Sequence, residues 1–80
     1  MPRDKESTSQ LVESLVRALV DDQESVSVQT SNDDSGMIIE VSVNPEETGK
    51  VIGRQGRIIK AIRTLARAAA DFNVEVEVLG

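Results

Sequence analysis

The strongest constraint on the fold is the spacing of the apolar residues, which changes between helical and strand periods along the 80 residues. In the first part of the chain, apolar residues recur every three to four positions, which predicts a helix that runs to about Val20. Ser7 and Gln10 have the spacing of a capping box at the start of this helix. Residues 1–8 are polar and charged, and they predict a flexible lead before a single domain over residues 9–80. The stripe of this first helix comprises Leu11, Val12, Leu15, Val16 and Leu19.

Two later stretches alternate apolar and polar residues, which is the period of a half-buried strand. Residues 25–30 and 37–43 have this pattern, and residues 31–36 between them have the composition of a turn. The two stretches are therefore predicted to form a hairpin. A last alternating stretch, residues 74–78, predicts a third strand.

Two helices are predicted between the second and third strands. Asn44 and Pro45, followed by two glutamates that suit the helix dipole, are typical of a helix start. A Gly-Arg-Gln-Gly break at residues 53–56 ends this helix early, and a longer one is predicted from Arg57 to about Asp71. A connection of this length suits right-handed parallel pairing of the flanking strands. The order α-β-β-α-α-β thus predicts an α+β fold, a three-stranded mixed sheet with helices packed on one face.

The composition excludes several classes of function. The chain has no cysteine and no histidine, which excludes a disulfide framework, the usual zinc sites and Ser-His-Asp or Cys-His catalysis. Its glycines do not have the spacing of NTPase or dinucleotide loops. No catalytic residue, metal ligand or cofactor is predicted, and the chain is not expected to be an enzyme. Because no apolar segment is long enough for a signal peptide or a membrane span, a cytoplasmic protein is expected.

Charge is distributed unevenly along the chain. The net charge is −5, yet residues 48–70 contain no acid and carry +6, which leaves −11 on the other 57 residues. At about 100° per residue, Lys60, Arg63 and Arg67 share one side of the long helix. Most such stripes are simply solvated, but here the cations gather towards the helix N-terminus, against the macrodipole, which favours an anionic partner. The apolar face of the same helix comprises Ile58, Ile59, Ile62, Leu65, Ala66, Ala69 and Phe72.

Gly53 and Gly56 bracket a two-residue loop between the two predicted helices. Such a pair alone is a weak signal, because glycines also form plain helix–helix turns. Here the loop contains Arg54 and precedes a helix whose first amides have no intrahelical partner. Free amides and glycines without side chains let a phosphodiester approach the backbone closely, and Lys50 and Arg57 supply cations nearby.

Residues 51–59 resemble the signature of the K-homology (KH) family, (I/V)-I-G-x-x-G-x-x-I, without a mismatch. The predicted order of elements resembles the type II, bacterial arrangement of this family. The similarity continues through residues 19–21, 44–50 and 61–65. Over roughly residues 10–79 the chain is therefore similar to the small bacterial KhpA-like (YlqC-like) RNA-binding proteins, although its N-terminal lead is longer and more polar than is usual for them.

The resemblance implies a function and a site. A KH domain of this kind holds single-stranded RNA in a groove, in which the GXXG loop clamps the backbone of about four nucleotides. The loop residues would contact the RNA backbone, two isoleucines would line the groove under the bases with Val41 or Val43 as a further wall, and cations would flank it. Carried over by position, the RNA-binding residues are Lys50, Ile52, Gly53, Arg54, Gln55, Gly56, Arg57, Ile59 and Lys60.

The lack of aromatic residues limits the strength of such binding. Phe72 is the only aromatic residue, and its helical phase predicts a core position, so a stacking platform for bases is not expected. We therefore expect weak, salt-sensitive RNA binding of low sequence specificity, as in an RNA chaperone or a post-transcriptional regulator. The alternative is a protein-interaction module, a dimer or adaptor that uses the same basic helix face. The resemblance implies such partners too, either a second copy or a KhpB/Jag-type KH-R3H protein.

Overall fold

The computed structural model describes residues 4–79, and its elements follow the predicted order. Single 3₁₀ turns at Gln23–Ser25, Pro45–Glu47 and Arg54–Gly56 precede β1, α2 and α3. In this part of the chain, no helix is both long and apolar enough to cross a membrane. The helices and strands are α1 Lys5–Leu19, β1 Ser27–Asp33, β2 Gly36–Ser42, α2 Thr48–Ile52, α3 Arg57–Ala69 and β3 Val74–Val78.

The three strands form one mixed sheet in the order β1-β2-β3. β1 is antiparallel to β2, with Val28 opposite Val41. β2 is parallel to β3, with Val41 beside Val78. The parallel pair requires a crossover connection, which α2 and α3 supply. The predicted three-stranded mixed sheet is confirmed.

The hairpin between β1 and β2 is tighter than predicted. Only Asp34 and Ser35 lie between the strands, instead of the predicted residues 31–36. The Asp33 side chain accepts hydrogen bonds from the amides of Ser35 and Gly36, at 2.8 and 3.0 Å, and so closes the turn. Gly36 has a φ of 144°, and a Cβ there would lie 2.3 Å from the carbonyl oxygen of Asn73. Only glycine therefore fits at this position.

Helix α1 starts earlier than the capping-box spacing predicted. Asp4, not Ser7, is the N-cap, because its carboxylate accepts a hydrogen bond from the Ser7 amide at 2.7 Å. Thr8 is almost fully buried, and its hydroxyl donates to the Asp4 carbonyl at 3.1 Å. Residues 5–8 of the predicted flexible lead are therefore helical, while residues 1–3 of that lead lie outside the described residues.

The core lies between the helices and one face of the sheet. The predicted apolar face of α3 is not fully buried, since Ile58, Ala69 and Phe72 are half-buried and Leu65 is exposed. Leu65 is 49% exposed, because it lies at the edge of the apolar arc. Phe72 follows the end of α3 at Ala69, so helical phase does not apply to it, and it packs half-buried against the core. The core comprises Val12, Val16, Val20, Val26, Met37, Ile39, Val41, Val43, Val51, Ile59, Ile62, Ala66, Ala70, Val74 and Val76.

Candidate nucleic-acid interface

The GXXG loop, residues 53–56, has a positive φ at three of its four positions. Gly53 has a φ of 77°, Gln55 of 58° and Gly56 of 73°. The Gly53 amide donates to the Gly49 carbonyl at 2.8 Å and ends α2, and the Gly56 amide donates to the Gly53 carbonyl at 3.1 Å. The Arg54 and Gln55 side chains between the glycines are exposed. The loop is thus a tight, outward-facing turn.

The two glycines are needed for different reasons. A Cβ on Gly53 would lie 2.6 Å from Cγ1 of Ile58, so packing excludes a side chain there. A Cβ on Gly56 would lie 3.8 Å from Cγ2 of Ile59, which is an ordinary contact. Only the positive φ of Gly56 therefore favours glycine at that position.

Helix α3 begins without a side-chain cap. Its N-cap residue is Gly56, which has no side chain to accept a hydrogen bond from the first amides of the helix. Uncapped amides at a helix N-terminus attract anions, because the donors and the helix dipole both favour negative charge. The exposed Arg57 starts this helix, and its guanidinium contacts only the Gln55 side-chain oxygen, at 3.4 Å, among the hydrogen bonds and ion pairs of residues 4–79.

The predicted RNA-binding residue Lys50 is engaged in ion pairs. Its ammonium lies 2.9 Å from the carboxylate of Asp21 and 3.0 Å from that of Glu47. Hydrogen bonds to these two carboxylates raise the pKa of Lys50 above its ordinary value. An RNA phosphate would have to compete with two carboxylates for this cation.

Glu47 ties the start of α2 to the segment that follows α1. The residue is only 7% exposed, and its carboxylate accepts hydrogen bonds from the backbone amides of Asp21, at 2.7 Å, and Asp22, at 2.9 Å. These two amides, together with the Lys50 ammonium, lower the pKa of the Glu47 carboxyl. The interpretation of Glu47 as a residue that only suits the helix dipole was therefore incomplete.

Arg63 and Arg67 bind the outer edge of β3. Nε of Arg63 donates to the Val76 carbonyl at 3.0 Å, and Nε of Arg67 donates to the Val74 carbonyl at 3.2 Å. A terminal nitrogen of Arg67 also lies 3.1 Å from the Glu75 carboxylate. The predicted basic stripe is therefore not uniformly available to an anionic partner, because two of its three members contact the sheet.

Three cations of the basic segment, residues 48–70, stay available to an anionic ligand. Arg54, Arg57 and Lys60 are exposed, and none of them forms an ion pair with a residue in the described range 4–79. All three lie in the GXXG loop or in the first turn of α3. Positive charge without a counter-charge is thus concentrated at the uncapped end of α3.

The predicted apolar groove residues have different environments. Ile52 ends α2 beside the loop and is 36% exposed, so its aliphatic side chain is accessible from outside. Ile59 is only 7% exposed and belongs to the core. Val41 and Val43 are also buried. The structure thus places all nine predicted site residues on α2, the loop and the start of α3, with Ile52 as the exposed apolar member.

The family of the KhpA/KhpB KH domain matches residues 9–78. The chain belongs to this family. A relative named RNA-binding protein KhpA, from Clostridium perfringens, is 51% identical over 73 residues, which cover 88% of this chain and 97% of the relative. Another of the same name, from Caldanaerobacter subterraneus subsp. tengcongensis, is 51% identical over 61 residues, which cover 76% of this chain and 81% of the relative. The resemblance noted in the sequence is confirmed.

A solved structure shows a similar fold. A variant of Aquifex aeolicus Era bound to GDP·AlF4⁻ matches 91% of this KhpA/KhpB-family chain with a TM-score of 0.58 and 18% sequence identity. The match covers 31% of the Era chain. Identity this low shows only that the fold is shared. Together with the family match, it agrees with the α+β KH fold predicted from the order of the elements.

In this KhpA/KhpB-family domain, sequence analysis missed the residues that hold the interface in place. Glu47 and the edge contacts of Arg63 and Arg67 were not identified. A glutamate followed by a lysine three residues later suggests a local ion pair, but Asp21 and Asp22 are more than twenty residues away. No local pattern identifies such partners, because tertiary packing brings them together.

Proposed function

We propose that this chain binds single-stranded RNA through its GXXG loop, with low sequence specificity, as an RNA chaperone or post-transcriptional regulator in the bacterial cytoplasm. One observation carries this proposal: Arg54, Arg57 and Lys60, without ion-pair partners among residues 4–79, surround a tight loop and the uncapped N-terminus of α3. The name that the two relatives share, RNA-binding protein KhpA, supports it. Neither the family nor these relatives is named for a catalysed reaction, in agreement with the predicted absence of an enzymatic function.

The loop and the helix terminus can bind an RNA backbone together. One phosphate approaches the backbone at Gly56, which has no side chain, and accepts hydrogen bonds from amides in the first turn of α3 other than that of Arg57, which donates to the Arg54 carbonyl. Arg54 and Arg57 add charge-assisted hydrogen bonds on either side. Ile52 offers a base an aliphatic surface, which gives less energy than an aromatic ring would. The expected result is weak binding directed mainly at the backbone.

Replacing Arg54 and Gln55 by aspartate tests this assignment. The substitutions place negative charge where a phosphate would lie, and aspartate tolerates the left-handed backbone of residue 55, so the fold should persist. We expect the affinity for a fluorescent uridine octamer, measured by anisotropy at low salt, to fall by about tenfold or more. Circular dichroism checks the fold.

A matched control separates local contacts from net charge. Lys5→Asp with Gln29→Asp makes the same change of net charge on α1 and β1, outside the proposed interface. This control should retain most of the affinity of the unaltered protein. Equal affinities of the loop variant and the unaltered protein would contradict the proposal, and equal losses in the loop variant and the control would show that only total charge matters.

A second candidate function, self-association, rests on Leu65. This side chain is 49% exposed in the middle of α3. The neighbouring Ala61, Thr64 and Ala68 are also exposed, and such small side chains allow a second helix to approach closely. By helical phase Leu65 lies well away from Lys60, so a second copy or a KhpB/Jag-type protein could bind here while RNA occupies the loop.

Self-association is tested by sedimentation of the unaltered protein and of Leu65→Lys. A dimer that becomes a monomer in the variant, with unchanged RNA affinity per chain, is the expected result. A monomer at high protein concentration before any substitution would exclude the homodimer.

A further inference from the structure

Strand β3 is an edge strand whose outer edge is covered. The Asn73 carbonyl and the Leu79 amide bond to β2, and backbone groups alternate along a strand, so Val74, Val76 and Val78 turn theirs outwards. Edge strands normally expose such groups to solvent. Val76, however, is 0% exposed. The Val76 side chain belongs to the core, and its outward carbonyl is covered by Arg63, whose side chain crosses from α3 and donates to that oxygen at 3.0 Å.

Arg63 differs from its neighbour Arg67 in the donors that remain free. Both arginines use Nε to anchor on β3, at 3.0 and 3.2 Å. Arg67 also pairs with Glu75, so an acid neutralises its charge. Within residues 4–79, the terminal nitrogens of Arg63 have no hydrogen-bond acceptor and no acidic partner. Arg63 is thus a half-buried guanidinium that is fixed at one end and presents two free NH₂ groups.

An RNA strand held at the GXXG loop is led towards this guanidinium. Lys60 lies one helical turn before Arg63 on the same side of α3. Arg57 and Arg63 are six residues apart, which is about 9 Å along the helix axis and comparable to the spacing of one or two extended nucleotides. An RNA backbone attracted by these cations would run along α3 and bring a base near the covered edge of β3.

We propose that Arg63 is a specificity-determining residue that favours guanine over adenine at one position of the bound RNA. This inference rests on the proposed RNA-binding function. The free NH₂ groups form a fork of donors, and guanine presents the adjacent acceptors O6 and N7 that an arginine reads bidentately. Adenine presents its N6 amino group beside N7. Because this amino group is a donor, it faces the donors of the arginine fork unfavourably. Because Nε is anchored, little side-chain freedom remains to be lost on binding.

The test uses a uridine octamer in which one guanosine is moved through each position, compared with the same series carrying adenosine. At one position we expect guanosine to bind about fivefold or more tightly than adenosine, the lower end for a bidentate arginine–guanine contact. Substituting 7-deazaguanosine at that position, which removes N7, should lower the affinity towards that of adenosine.

Two lysine variants identify the residue responsible. Arg63→Lys keeps the charge but loses the fork, so the guanosine preference should vanish while the affinity for plain octauridine changes by less than about twofold. Arg67→Lys removes the equivalent bond to β3 and should keep the preference. Thermal unfolding followed by circular dichroism confirms that both variants fold.

The possible failures are distinguishable. No guanosine preference at any position, a preference that persists in Arg63→Lys, or an equal loss in Arg67→Lys would each overturn the role of Arg63. If octauridine binding depends on Arg54 and Gln55 in these cases, the proposed function still holds. If octauridine binding is independent of the loop, the proposed function itself fails.

Discussion

Neutralising single cations of the basic segment, residues 48–70, tests which of them contact RNA. Three of its six cations already have partners: Lys50 pairs with acids, and Arg63 and Arg67 bind the edge of β3. Only Arg54, Arg57 and Lys60 are exposed and lack an ion pair among residues 4–79. Each phosphate contact on a single strand lowers the logarithm of the affinity by about 0.7 per logarithmic unit of salt. Three contacts predict a slope of about −2, and six would predict about −4.

The two slopes are easily separated by experiment. Between about 50 and 200 mM potassium chloride, three contacts predict a loss of affinity of roughly 20-fold, whereas six predict roughly 300-fold. Fluorescence anisotropy of a labelled uridine octamer measures this range. The variants Lys60→Gln and Lys50→Gln form a matched pair, because both remove one lysine charge from the same segment. Lys60→Gln should weaken the slope by about 0.7, and Lys50→Gln should leave it unchanged.

Two results would refute this reasoning. A slope near −4 in the unaltered protein would mean that Lys50, Arg63 and Arg67 also contact phosphates despite the bonds they make within the protein. An equal weakening of the slope in Lys50→Gln and Lys60→Gln would mean that the ion pairs with Asp21 and Glu47 do not withhold Lys50 from RNA.

Two further predictions concern stability. Gly56→Ala should lower the free energy of unfolding in urea by about 1 kcal/mol for its αL backbone alone. Gly53→Ala should lower it by more than about 2 kcal/mol, because its φ of 77° and ψ of 172° are open almost only to glycine and its Cβ also meets Ile58; equal losses would contradict this difference between the two glycines. Glu47→Gln should lower the Tm at neutral pH by about 5–10 °C, since a carboxylate that accepts two backbone hydrogen bonds is replaced. The pKa of Glu47 is lowered on folding, so its ionised carboxylate stabilises the folded state. This stabilisation is complete above the ordinary pKa of 4.5 and is lost as the pH falls through the lower pKa of the folded state. The Tm difference between the variant and the unaltered protein should therefore shrink towards pH 3, and a constant difference from pH 7 to pH 3 would rule out this role for the ionised carboxylate.

The element order, the hairpin and the parallel crossover could be predicted because each depends on local information. Apolar spacing reports which face of a segment is buried, and connection length restricts how strands can pair. The boundaries were less certain, as at Asp4, which caps α1 although the spacing of Ser7 and Gln10 predicted a later start. The exposure of Leu65 could not be predicted either. Helical phase shows which residues of α3 form its apolar face, but not how much of that face packs against the rest of the protein.

The sequence alone determined the α-β-β-α-α-β order, the GXXG loop and a basic segment of +6 in an acidic chain. These features lie within short stretches, so local spacing reveals them. Tertiary structure decided which cations of that segment are available, since Lys50 is paired with a residue 29 positions away and Arg63 is anchored 13 positions away. Ion pairs and hydrogen bonds depend on distance in space, and only packing of the helices against the sheet sets those distances.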